Sequence, residues 1–135
     1  MKIQKILVAN RGEIALRIIK TIRELGLDSV AIYSDADFDG NHVHNADEAV
    51  FIPNGYLDQD QIIQKAKEMN VDAIHPGYGF LSENADFCRK VISAKIKWIG
   101  PDPETIELMG DKINSKELCL KEGIPTLLKT TNAKD

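Results

Sequence analysis

Short apolar runs alternate with helix-patterned stretches over roughly the first 100 residues, and few folds accommodate that rhythm. Ile3 to Ala9 reads as a short buried strand, since Ile6-Leu7-Val8-Ala9 is a continuous apolar run bounded by the polar Asn10-Arg11-Gly12-Glu13. Ile14, Ile18, Ile22 and Leu25 then recur every three to four residues, Ala15 and Ile19 widen the stripe, and Arg17, Lys20, Arg23 and Glu24 fall off it. This spacing predicts a helix covering the sheet, ended by Gly26. Residues 29–33 form a second strand, and strand-helix-strand order implies a right-handed crossover to a parallel neighbour.

Residues 35–45 are acidic and contain Asp39-Gly40, which suits an exposed loop or tight turn rather than a core element. A third strand is expected at 49–52, closed by Pro53-Asn54-Gly55, and Asp58 is placed to cap a helix running to Met69 with Ile62, Ile63 and Ala66 inward. Residues 72–75 read as a fourth strand. Ser82, with Glu83 in the first turn, is expected to open a helix to Ser93, and 97–100 give a fifth strand. Pro101-Asp102-Pro103 starts a short helix to Met109, and Asp111 caps another to Glu122, stopped by Gly123 and Pro125. The expected fold is an open, mostly parallel, five-stranded Rossmann-like α/β sheet with helices on both faces, plus two carboxyl-terminal helices. Residues 126–135 lack a period and read as a linker toward a further domain.

A hydrophobic fraction of 43% with 28% charged residues fits one domain with a real core. Net charge is −4, from 17 basic and 21 acidic residues, which leaves no footprint for nucleic acid or an anionic membrane. No apolar run approaches the roughly 20 residues that span a bilayer, and Met1-Lys2-Ile3-Gln4-Lys5 leads into a strand rather than a signal peptide. A cytoplasmic protein, or the mature form of an organelle protein, is expected. Cys88 and Cys119 lie in helix-patterned segments without C-x-x-C spacing and read as buried free thiols.

The segment His75-Pro76-Gly77-Tyr78-Gly79-Phe80-Leu81-Ser82-Glu83-Asn84 joins an apolar strand to a helix through glycines and a proline. Such a turn brings bare main chain near a ligand, with Tyr78 held outward, at the strand end where open sheets bind ligands. Its plain alternative is a tight connection whose tyrosine packs. His75 reads as a satisfied, mostly buried histidine rather than a proton carrier. The turn at Asn10-Arg11-Gly12-Glu13 lacks the G-x-G-x-x-G glycines of a dinucleotide site, and Arg11 is open to two roles, an ion pair or a ligand contact. His42 and His44 near Asp47 and Glu48 fit no strong zinc spacing and read as a solvated loop. Lys112 follows Met109-Gly110-Asp111 in the first turn of a helix, where its charge opposes the dipole; a phosphate partner or a surface pair with Asp111 would each account for it. No nucleophile-base pair or metal ligand set can be assembled, so the chain reads as an accessory to catalysis.

Several segments together resemble the amino-terminal, pre-ATP-grasp domain of biotin carboxylase, the component of acetyl-CoA, propionyl-CoA and pyruvate carboxylases. They are residues 5–15 (Lys-Ile-Leu-Val-Ala-Asn-Arg-Gly-Glu-Ile-Ala), Ser34-Asp35-Ala36-Asp37, His42-Val43 with Ala46-Asp47-Glu48-Ala49, residues 75–84, and Ile99-Gly100-Pro101 with Met109-Gly110-Asp111-Lys112. The resemblance implies a ligase that uses Mg-ATP to activate bicarbonate as carboxyphosphate and carboxylates biotin on a carrier protein. It places Lys112 at ATP, Tyr78 and Gly79 beside biotin, and Glu83 at the edge of that site. It makes Arg17, Lys20 and Glu24 candidates for a homodimer contact, although Lys20 stands where relatives often carry arginine. Under the same resemblance residues 1–125 are the domain and 126–135 the linker. The glycine-rich lid, metal-binding glutamates, bicarbonate-binding arginine and catalytic base belong to other domains, so the chain alone is expected to be inactive. The partners implied are those domains, the biotin carboxyl carrier protein and the carboxyltransferase. Two rival readings are the equivalent lobe of another ATP-grasp ligase, such as a carbamoyl-phosphate or purine-pathway enzyme, and a non-catalytic binding or dimerisation module.

Overall fold

The computed structural model describes residues 2–109. Strands β1 (Lys5–Val8), β2 (Asp28–Tyr33), β3 (Glu48–Phe51), β4 (Ala73–His75) and β5 (Lys97–Trp98) form one sheet in the order β3-β2-β1-β4-β5, every pair parallel. Helices α1 (Gly12–Glu24), α2 (Asn41–Asn45), α3 (Gln59–Glu68) and α4 (Ala85–Ser93) connect them, and a further helix occupies 103–109. Expected and observed boundaries differ by a residue or two at most strand ends, the usual fraying.

Alternation along β1 divides the core. Leu7 faces Ile62 and Ala66 of α3 and Phe87 and Val91 of α4, whereas Ile6 and Val8 face Ala15, Ile19 and Ile22 of α1. Strands buried on both faces explain the unbroken apolar run that made β1 readable. The chain lays β2 and β3 on one side of β1 and then returns to lay β4 and β5 on the other, so order reverses between β1 and β4. That gap is a topological switch point, where connections diverge and leave a crevice at the strands' carboxyl ends.

Two expectations need correction. Residues 35–45 are not a solvated loop: they contain a 3₁₀ turn (Asp35–Asp37) and α2, and His42 is only 2% exposed. Its Nε2–H donates to the Ile32 carbonyl at 3.0 Å, so the ring satisfies a buried acceptor on β2. Gly40 leaves it room, since a Cβ there would lie 3.1 Å from His42 Nδ1. Nor does the fourth helix open at Ser82. Asn84 is its N-cap, with Oδ1 accepting from Phe87 N at 2.9 Å, and Glu83 sits in the preceding turn. Gly79 and Phe80 take left-handed φ of 68° and 50°, which no right-handed helix tolerates, so winding begins only after buried Leu81 has anchored the turn.

Asp58 caps α3 as expected, its side chain accepting from Gln61 N at 3.2 Å. Asp102 likewise receives Thr105 N at 2.8 Å at the start of the 103–109 helix. Cys88 is a buried free thiol whose pKa burial pushes up, as suits a structural cysteine. The expected helix at 111–122, with Asp111, Lys112 and Cys119, and the linker at 126–135 lie outside the described residues. Among the described residues no helix is long and apolar enough to cross a membrane.

Candidate functional site

The turns that follow β1 and β4 meet at the switch point. Ala9 N donates to the His75 carbonyl at 2.9 Å, continuing the β1–β4 pairing past its last ladder residue. The next residue, Asn10, is 1% exposed and reaches across the gap. Its Nδ2 donates to the carbonyls of Pro76 (2.9 Å) and Tyr78 (2.7 Å), and its Oδ1 accepts from Arg11 N (2.8 Å). A buried amide with every polar atom engaged stabilises one conformation of the bend. Gly77 is required twice over: its φ is +70°, and a Cβ would stand 2.5 Å from Asn10 Nδ2.

His75 closes the inner side. Gly77 N donates to its Nδ1 at 3.1 Å, which fixes that nitrogen as unprotonated, and burial lowers the imidazole pKa in the same direction. The ring is a half-buried acceptor for the turn, in line with the reading of His75 as a satisfied side chain. Tyr78 is 76% exposed and stands between two depressions. One, of about 500 Å³, runs between the bend and the segment after β5 and is walled by His75, Tyr78, Glu83, Pro101, Ile106 and Met109. The other, of about 420 Å³, lies along α1 and includes Ile14, Arg17, Ile18, Leu25 and Ile99. Arg17, Lys20 and Glu24 are exposed on α1.

A second knot braces the outer side. Arg11 grips Asp37 with two parallel bonds, Nε to Oδ2 at 2.6 Å and a terminal nitrogen to Oδ1 at 2.7 Å, while the Tyr56 hydroxyl donates to the same Oδ2 at 2.6 Å. Of the two roles open to Arg11, the fold therefore uses the ion pair. The Arg11 hydrogen bonds hold the Asp37 carboxyl down at about 2, with Tyr56 adding to the effect. The Tyr56 phenol is pushed up to about 12, first by burial and then by the Asp37 bond. The Tyr56 ring then packs on Phe80, centroids 5.5 Å apart, so the knot reaches the residue after Gly79.

Asp37→Asn is expected to cost about 1–2 kcal/mol at neutral pH, discounted for the half-exposed Arg11. A depressed folded-state pKa stabilises above the ordinary carboxylate value and is lost as pH falls through about 2. The gap between wild type and variant in urea unfolding should therefore shrink below pH 4. A gap that stays constant down to pH 2.5 would contradict this assignment.

The bend thus gathers Tyr78, Gly79 and, at its far end, Glu83; Lys112 lies outside the described residues. His42 and His44 are not brought together, since His42 faces β2 and His44 bonds Asp39 at 2.6 Å. Among the described residues no group of three His, Cys, Asp or Glu side chains is placed to hold a metal ion. Sequence reasoning missed the role of Asn10. The available signal was a polar residue directly after a fully buried strand, opposite a Pro-Gly turn.

An all-parallel sheet whose switch point carries an exposed, glycine-braced bend places the chain in the open α/β class, whose members bind ligands in the crevice at such points. The family model described as "Biotin carboxylase, N-terminal domain" matches residues 2–106, and the chain belongs to that family. It is 51% identical over 129 residues to a biotin carboxylase of Halalkalibacterium halodurans, covering 92% of this chain and 28% of that protein. It is 47% identical over 131 residues to the mitochondrial pyruvate carboxylase of Homo sapiens, covering 93% of this chain and 11% of the relative. A solved relative is the biotin carboxylase domain dimer of Hydrogenobacter thermophilus 2-oxoglutarate carboxylase, in complex with MgADP, ADP and bicarbonate. It superposes with a TM-score of 0.81 at 47% identity, over 93% of this chain and 29% of that one. The chain therefore spans under a third of the length of each of these relatives.

Proposed function

We propose that this chain is the amino-terminal domain of a biotin-carboxylating ligase and that its bend at residues 77–79 forms one wall of the biotin site. The observation that supports the reading is the exposure of Tyr78 and Gly79 at the switch point, beside a cleft of about 500 Å³. The local chemistry fits a small bicyclic ligand: Tyr78 offers an aromatic face, nothing lies within 4 Å of where a Gly79 Cβ would be, and apolar side chains wall the cleft. Glu83 stands at its rim as an exposed carboxylate. Lys112 is proposed for ATP on the strength of the resemblance. Bound Mg-ATP would supply the phosphoryl group that activates bicarbonate, with its metal ligands on other domains.

In this reading residues 1–125 form the domain and 126–135 lead toward the ATP-grasp domain, in a cytoplasmic enzyme. Its partners are the remaining carboxylase domains, the biotin carboxyl carrier protein and a carboxyltransferase. The exposed face of α1, with Arg17, Lys20 and Glu24, is proposed for a homodimer contact.

The test is ADP release with bicarbonate and free biotin. The isolated 135-residue chain should show none, and the complete polypeptide carrying it should turn over only when both are present. Turnover by the isolated chain, or biotin-independent behaviour of the complete polypeptide, would overturn the proposal.

A further inference from the structure

Asn10 does more than seal a buried gap. Both partners of its Nδ2 are carbonyl oxygens and the partner of its Oδ1 is an N–H, so the network fixes which way the amide faces. Pinning the Tyr78 carbonyl inward has a geometric consequence one bond further on. The peptide linking Tyr78 to Gly79 is trans, and in a planar trans peptide the N–H points opposite to the C=O. The Gly79 N–H is thereby turned outward, away from Asn10. No acceptor for it is present among the described residues, and Gly79 itself is exposed.

We infer that Asn10 is a positioning residue, which holds the Tyr78–Gly79 peptide so that the Gly79 N–H meets a carbonyl oxygen of the ligand in the cleft. The inference rests on the proposed biotin site, where biotin offers such an oxygen. Three supports hold this donor in place before any ligand arrives. Asn10 grips the carbonyls at Pro76 and Tyr78, the Tyr56 ring packs on Phe80, and Leu81 is anchored in the core. A donor fixed in advance avoids the ordering cost that a free loop would incur on binding.

The experiment uses the complete enzyme. Asn10→Asp keeps the side chain's shape but withdraws both donors and sets a carboxylate against two carbonyls. KM for free biotin should rise about tenfold, the loss of one well-placed hydrogen bond, while KM for ATP is unchanged. In the wild type, saturating biotin should slow hydrogen exchange at the Gly79 amide, a readout that needs no variant to fold. An unchanged KM for biotin, parallel rises in both KM values, or a Gly79 amide indifferent to biotin would overturn the role of Asn10. Absence of biotin turnover in the wild-type enzyme would instead sink the functional reading and this role with it.

Discussion

Gly77→Ala should lower the unfolding free energy by about 2–4 kcal/mol, whereas Gly79→Ala should cost about 1 kcal/mol. Both glycines take left-handed φ, 70° and 68°, so the backbone penalty is shared. The difference lies in what a methyl group meets. At Gly77 it would stand 2.5 Å from Asn10 Nδ2 and 3.0 Å from its Cβ and Cγ, forcing the buried amide off both carbonyls. At Gly79 it would meet nothing within 4 Å. Urea unfolding of the two variants beside the wild type measures the gap, and equal losses would show that Asn10 does not set the packing of the bend.

Phe87→Ala should be comparably severe, at about 3–5 kcal/mol, because a fully buried ring leaves a cavity that its neighbours refill only in part. Phe87 lies on the inner face of α4, edge-on to Trp98 of β5 with centroids 5.8 Å apart. It also follows closely on the Asn84 cap that ends the bend. Ile92→Ala on the same helix, at a residue 49% exposed, should cost less than about 1 kcal/mol. Thermal or urea unfolding distinguishes the two; similar losses would mean that α4 packs by a different face.

The sheet was legible because its signals are local. Ile6 to Ala9 must be apolar on both faces when helices cover both, and the Ile14-Ile18-Ile22 spacing can only line one side of a helix. Asp58 announced its cap, and the exposure of Tyr78 followed from the glycines beside it. Where it failed, the deciding contact or backbone angle left no mark in the local residue pattern. His42 looked like a loop histidine because its acceptor, the Ile32 carbonyl, sits on another element. Ser82 looked like a cap because nothing local revealed that Phe80 would take φ +50° and delay the helix to Asn84. Arg11 kept two readings until Asp37, folded against it by the 3₁₀ turn, supplied a bidentate partner. Asn10 is the clearest instance: its two acceptors lie 66 and 68 positions away, and only the return of β4 alongside β1 brings them within reach.

The central claim is that the Tyr78–Gly79 bend lines the biotin site of the complete enzyme. Photolabelling with a biotin derivative carrying a short photoreactive group, followed by peptide mass spectrometry, tests it most directly. Adducts should fall within residues 76–83 and vanish when unmodified biotin is in excess. An enzyme that turns over biotin yet carries competed adducts only elsewhere would contradict it.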